Sequence, residues 1–171
     1  MTESPFDPER VLRTLNSHHV KFVVIGGLAS QILGLALVTR DTDICYERSP
    51  ENMERLAAAL KELGAKLRVA RVEGDLPFLL DAKTIAAGDS FTFNTNAGPF
   101  DILATPSGTG GFRDLDARAG DYDFGNGLVV RVVDLDDLIR MKESAGRAKD
   151  VTHLHELATL KEMLDQADPP A

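Results

Sequence analysis

A chain of 171 residues with 43% hydrophobic and 27% charged side chains has the size and balance of one globular domain, expected over residues 1–167, and is far from the composition of a disordered segment. Its formal net charge of -8 argues against extensive gripping of a phosphate backbone and favours a cationic small molecule or a protein as partner. No run approaches the roughly 18 apolar residues of a membrane span, and the opening MTESPFDPER has no basic flank or apolar signal core, so a cytoplasmic protein with no membrane partner is expected.

The pattern Pro8, Val11, Leu12, Leu15 predicts a helix from Asp7 to His19, with Asp7 as N-cap and Pro8 at the first helical position. Lys21–Ile25 (KFVVI) is a β-branched and aromatic run stopped by Gly26-Gly27, a buried strand entering a tight turn. A small, apolar helix follows over Leu28–Leu35, then a strand over Thr39–Tyr46, then a helix over Glu51–Leu63 ended by Gly64. Strands are expected at Lys66–Val72, Ser90–Thr95 and Phe100–Leu103. Thr105–Asn126, rich in Gly and Asp, reads as a long loop with a short helix around Arg113–Ala119. Leu128–Val133 is the last strand, Leu135–Ser144 and Lys149–Gln166 are two closing helices joined near Gly146, and residues 168–171 form a frayed tail. The expected class is therefore α/β (α+β), a mixed central sheet flanked by helices.

The chemistry concentrates in one stretch. Asp41 and Asp43 stand at i and i+2 on a strand, so their carboxylates point to one face and converge on a cation. Hard oxygen donors in that number suit magnesium, which completes its shell with water and substrate phosphate. Gly26-Gly27 follows a strand and opens a helix, where backbone N–H groups and the helix dipole favour a phosphate and the missing Cβ permits close approach. Ser30, one turn further on, is placed to add a hydroxyl. A bare Asp-x-Asp or a lone glycine pair means little; the order of glycine turn, helix and acidic strand raises the odds.

Gly26-Gly27, thirteen residues, then Asp41-Thr42-Asp43 resembles the signature of the nucleotidyltransferase superfamily related to DNA polymerase β. The fuller text, Gly-Gly-Leu-Ala-Ser with Gly34 and Thr39-Arg40-Asp41-Thr42-Asp43-Ile44, is similar to the AbiEii-type toxin branch and also to aminoglycoside and lincosamide nucleotidyltransferases. The resemblance implies a minimal nucleotidyltransferase fold and a third carboxylate on a later strand, a position matched by Asp101 in Pro99-Phe100-Asp101-Ile102-Leu103. It further implies two magnesium ions, with manganese as a substitute, held by Asp41, Asp43 and Asp101. The nucleoside triphosphate would lie at Gly26, Gly27 and Ser30. The stretch from Leu138 to Asp150 is similar to the AbiEii-type tail, so Lys142 is expected at the triphosphate, with Arg147 helping and Asp150 orienting one of them.

The implied reaction moves a nucleotide from its triphosphate to a hydroxyl of tRNA or a protein, in the manner of a toxin with a partner antitoxin. An antibiotic-modifying transferase acting on a small molecule and a non-catalytic nucleotide-binding or antitoxin-like module are the alternatives. Two departures from the family bear on the acceptor: Gly27 stands where many relatives have Ser, and Thr105–Asn126 matches no known acceptor region. Other candidates are weaker. His18-His19 and His153/His155 diverge on helices, Gly108–Gly111 lacks the Lys and Ser/Thr of a phosphate loop, and Cys45 reads as a buried inert thiol.

Overall fold

The computed structural model describes residues 5–69, 78–147 and 150–167. It opens with helix α1 (Pro8–Ser17), capped as expected: the Asp7 carboxylate accepts from the Arg10 N–H at 3.1 Å and Pro8 sits in the first turn. Strand β1 (Phe22–Ile25) leads straight into α2 (Gly26–Leu33), with no connecting turn residues. Strand β2 (Thr42–Tyr46) is followed by α3 (Pro50–Glu62), capped by the Ser49 hydroxyl. The middle of the chain carries β3 (Lys66–Leu67), α4 (Ala82–Ala86), β4 (Ser90–Thr95) and β5 (Gly98–Leu103). Then come α5 (Phe112–Asp116), β6 (Gly120–Asp123), β7 (Val129–Val132), α6 (Leu135–Ala145) and α7 (Asp150–Ala167).

The seven strands form one mixed sheet in the order β3-β4-β5-β2-β1-β7-β6. β2 runs antiparallel to β1 and parallel to β5, while β7 runs parallel to β1. This is the mixed sheet with flanking and closing helices that the sequence predicts. β1 is buried at all four positions, so both its faces are covered, and the core gathers on it with Ile44, Tyr46, Leu56, Leu60, Phe93, Phe100 and Ile102. Asn52, almost fully buried, clips the start of β1 to the end of β2. Its Oδ1 accepts from the Lys21 N–H at 2.7 Å, and its Nδ2 donates to the carbonyls of Lys21 and Glu47.

Four details depart from the sequence reading. β2 begins at Thr42, so Thr39, Arg40 and Asp41 precede the sheet rather than belonging to it. α4 has no clear apolar period in its five residues, so the sequence does not announce it; the Asp81 carboxylate caps it by accepting from the Thr84 N–H. β6 lies inside the stretch read as loop because its Gly-Asp-Tyr-Asp sequence carries no strand-like run; pairing with β7 makes it a strand. The strand expected over Lys66–Val72 spans only Lys66 and Leu67, with the Arg68 N–H still donating to the Thr92 carbonyl at 2.8 Å, and its last three residues lie outside the described ones.

Candidate functional site

The sheet register places two carboxylates side by side. Asp43 is level with Ile25 on β1 and with Asp101 on the parallel strand β5. Residues level with each other on adjacent strands project to the same face, so the two acids, 58 positions apart in sequence (101 minus 43), meet without any help from loops. Both strands are well held here: Ile44 and Ile102, the next residues along, are completely buried and fix the pleat so that the acids face the other way.

Gly26 closes the back of the pair. A Cβ built on it would stand 2.1 Å from Asp43 Oδ2, and its φ of +69° is in the left-handed region, so position 26 requires glycine on two counts. Gly27 is covered by a different neighbour: a Cβ there would meet Thr39 Oγ1 at 2.8 Å. The glycine pair thus serves to bring α2 against the acidic strand as well as to bare its backbone. α2 begins with no side chain capping its first N–H groups.

A cavity of about 440 Å3 opens over these residues. Asp43, Asp101 and Gly26 lie in it, Lys142 and Arg147 supply the cations, and Leu138, Met141 and Pro106 supply apolar wall. Its size falls within the roughly 300–1,000 Å3 range of small-ligand sites. The cations are organised by Asp150, which is 1% exposed. Its Oδ2 accepts from Arg147 Nε at 2.7 Å and its Oδ1 from Lys142 Nζ at 3.4 Å. Burial opposes the charge on Asp150, but the Arg147 hydrogen bond and the two nearby cations prevail and hold its carboxyl below the usual range.

Asp43 behaves in the opposite way. Burial first, then the charge of Asp101, a hydrogen bond with Asp101 and the charge of Asp41 push its carboxyl up to about 8, against a smaller pull from Arg147. Asp101 Oδ1 is buried with no hydrogen-bond partner. Two half-buried carboxyls side by side are relieved by either a proton or a cation, and the orphaned Asp101 Oδ1 is an acceptor that a proton held between the pair leaves unused. The donor set therefore fits a hard divalent cation. Among the described residues no group of three His, Cys, Asp or Glu side chains already stands at metal-ligating geometry.

The residues singled out from sequence are distributed as follows. Asp43, Asp101, Gly26 and Lys142 line the cavity together, and Arg147 joins them. Asp41 does not line it; half-buried just before β2, it reaches Asp43 through its charge. Ser30 is fully buried, and its hydroxyl donates to the Gly26 carbonyl at 3.2 Å, so it braces the turn rather than facing the cavity. Leu138, Met141, Pro106 and Ser107 were not singled out. The first two announce themselves only as the apolar face of α6, and nothing in the sequence of the Gly-rich loop marks Pro106 or Ser107.

Solved structures that superpose on this chain include nucleotidyltransferases. The lincomycin-bound crystal structure of the lincosamide antibiotic adenylyltransferase LnuA superposes with a TM-score of 0.60 at 14% identity, covering 91% of this chain and 99% of that one. The chain has the nucleotidyltransferase fold. ANT(2")-Ia in complex with adenylyl-2"-tobramycin gives a TM-score of 0.52 at 14% identity over 91% of this chain and 86% of that one. A candidate nucleotidyltransferase of Thermotoga maritima, TM1012, gives 0.50 at 16% identity over 94% and 96%. No family model matches the sequence, and no curated protein matches it.

Proposed function

We propose that the protein is a magnesium-dependent nucleotidyltransferase that moves a nucleoside monophosphate from its triphosphate to a hydroxyl on a small cationic molecule. The observation that carries this reading is the in-register pairing of Asp43 with Asp101 at the floor of a cavity whose far wall holds Lys142 and Arg147. Asp43 and Asp101, with Asp41 beside them, would hold the metal. Bound there, magnesium supplies charge neutralisation on the phosphate oxygens and lowers the cost of ionising the acceptor.

The chain's own residues do the remainder. The backbone N–H groups that open α2, at Gly26, receive phosphate oxygens, and Lys142 and Arg147, held by Asp150, meet the rest of the triphosphate as fixed charges. The acceptor hydroxyl attacks the α-phosphorus, and a new O–P bond forms as the bond to the bridging oxygen breaks and pyrophosphate leaves. Asp101, with one oxygen unengaged, accepts the hydroxyl proton. Rate comes from positioning and electrostatics rather than from covalent chemistry by the protein.

The small cationic acceptor is supported by the net charge of -8 and by the ligands of the neighbours, lincomycin and adenylyl-tobramycin. A second reading, a toxin of the AbiEii type that modifies tRNA or a protein and is held by an antitoxin, draws on the resemblance of the Leu138–Asp150 sequence to that branch's tail, within which Lys142 and Arg147 pair with Asp150. Either reading suits a cytoplasmic protein. Incubating the protein with α-labelled triphosphates, magnesium and fractionated cell extract, or with a panel of aminoglycosides and lincosamides, decides between them by where the label goes. Magnesium-dependent triphosphate binding with no pyrophosphate release under any acceptor would replace both with a non-catalytic binding module.

A further inference from the structure

The helix that carries Lys142 has a second gripped face. Counting at 100° per residue, Leu138, Met141, Lys142 and Ala145 of α6 share the side that lines the cavity, whereas Asp137, Arg140 and Ser144 share the adjacent side. That adjacent side is held from outside the cavity. Arg118, just after α5, donates from Nε to Asp137 Oδ2 at 2.9 Å and from Nη2 to Asp137 Oδ1 at 3.0 Å, and the Asp137 side chain is 6% exposed. Arg118 Nη2 also donates to Asp114 Oδ1 at 2.8 Å, and Arg140 Nη2 donates to Asp114 Oδ2 at the same distance. Arg140 Nε is buried without a partner, so this guanidinium is anchored through Nη2.

Asp114 reaches one step further, into the Gly-rich loop between β5 and α5. Its Oδ2 accepts the Gly110 N–H at 2.9 Å. Earlier in the same loop a Cβ on Gly108 would stand 2.7 Å from Ser144 Cβ and 3.3 Å from the Arg140 carbonyl, so the loop lies directly on α6. Pro106 and Ser107, immediately before Gly108, line the cavity. The Gly110 N–H, then Arg118 and Arg140, hold the Asp114 carboxyl down to about 2, so Asp114 keeps its charge at any ordinary pH.

We infer that Asp114, Arg118, Asp137 and Arg140 form a positioning clamp that fixes the Pro106-Ser107 wall of the cavity against α6, and so sets the distance across which a nucleotide is held. None of the four touches the cavity, and this role rests on the nucleotidyl-transfer reading only for the identity of what the cavity holds.

Two measurements on the full chain test it: hydrogen exchange, and binding of the magnesium complex of α,β-methylene-ATP. Asp114→Ala should speed exchange of the 108–111 amides about tenfold and weaken analogue binding about tenfold, with the β5 amides and the melting temperature little changed. Gly108→Ala, which pushes the loop off Ser144, should reproduce the binding loss. Asp121→Ala removes a comparable exposed pair, to Arg131 at 3.0 Å, without touching the loop or α6, and should change neither reading. Should Asp114→Ala fail to fold, Asp114→Asn keeps an oxygen for the Gly110 N–H and should give a smaller effect in the same direction. Unchanged exchange at 108–111, or faster exchange with full binding, overturns the clamp. If the unmodified protein binds no nucleotide, the proposed function falls while the exchange comparison still decides whether the clamp exists.

Discussion

Replacing Asp43 with Asn should abolish transfer and yet make the metal-free protein more stable at neutral and alkaline pH. The Asp43 carboxyl is raised to about 8, chiefly by burial and then by Asp101, so the folded state holds a proton that the unfolded chain, titrating in the ordinary carboxylate range, has released. A raised group contributes stability that is complete below the unfolded value and is lost as pH climbs through the folded one, here between about 4 and about 8. One proton of linkage costs about 1.4 kcal/mol per pH unit, so from about pH 5 to about pH 8 the unmodified protein should lose roughly 3–4 kcal/mol relative to Asp43→Asn. For a chain of this size that is roughly 10 °C of melting temperature. Asp114 and Asp150 are shifted down, so their contribution is already complete above the ordinary carboxylate range and does not enter this window. Urea unfolding of both proteins in chelator-treated buffer, plotted as a difference against pH, gives the slope directly. Magnesium should flatten the curve of the unmodified protein and leave that of Asp43→Asn alone. A difference that stays level from about pH 5 to about pH 8 would refute the shared-proton account of the carboxyl pair.

Gly26→Ala combines a left-handed φ with a Cβ 2.1 Å from Asp43 Oδ2, and should cost about 1–3 kcal/mol of stability together with most of the activity, read by thermal melting and labelled transfer. Lys142→Met removes a cation that is 11% exposed while Asp150 keeps Arg147, so the nucleotide KM should rise roughly tenfold with a smaller change in kcat and little change in melting temperature. Asp101→Asn should lower kcat by two or more orders of magnitude, roughly 3 kcal/mol or more of barrier, without loss of fold; full activity in this variant would remove Asp101 from the mechanism.

The parts of this fold that could be read from sequence are those where local pattern and tertiary role coincide. Asp7-Pro8 and Ser49-Pro50 mark helix starts because caps satisfy donors that the helix itself cannot. Asp43 and Asp101 could be brought together on paper because the surrounding motif has a known spacing, and the parallel register of β2 and β5 then delivered them to one face. Ser30 takes the Gly26 carbonyl as its partner for an identifiable reason. A hydroxyl one turn into a helix lies within reach of the carbonyl four residues back as well as of the helix N-terminus, and burial of α2 against the sheet favoured the first. The i, i+2 rule would set Asp41 beside Asp43 if the strand had already begun, but sheet pairing starts at Thr42, and the rule has no force outside the pleat. β6 and the clamp on α6 share a common reason for being hidden: both depend on partners well separated in sequence, as with Asp121 and Arg131, 10 positions apart, or Asp114 and Arg140, 26 apart, and charged side chains carry no period that announces a partner.

The carboxyl pair also explains why a stretch so well buried tolerates such poor electrostatics. Everything around it is arranged for order: Ile44 and Ile102 lock the strands, glycine at 26 admits the acid, and Asp150 pins the opposing cations. A fold selected for stability alone would place Asn or Ser at one of the two positions and recover the free energy now spent raising Asp43. Local disagreement between a residue and its surroundings, inside a region otherwise consistent at every level, is what the proposed site would show, since a divalent cation and a phosphate chain would relieve a disagreement of this kind.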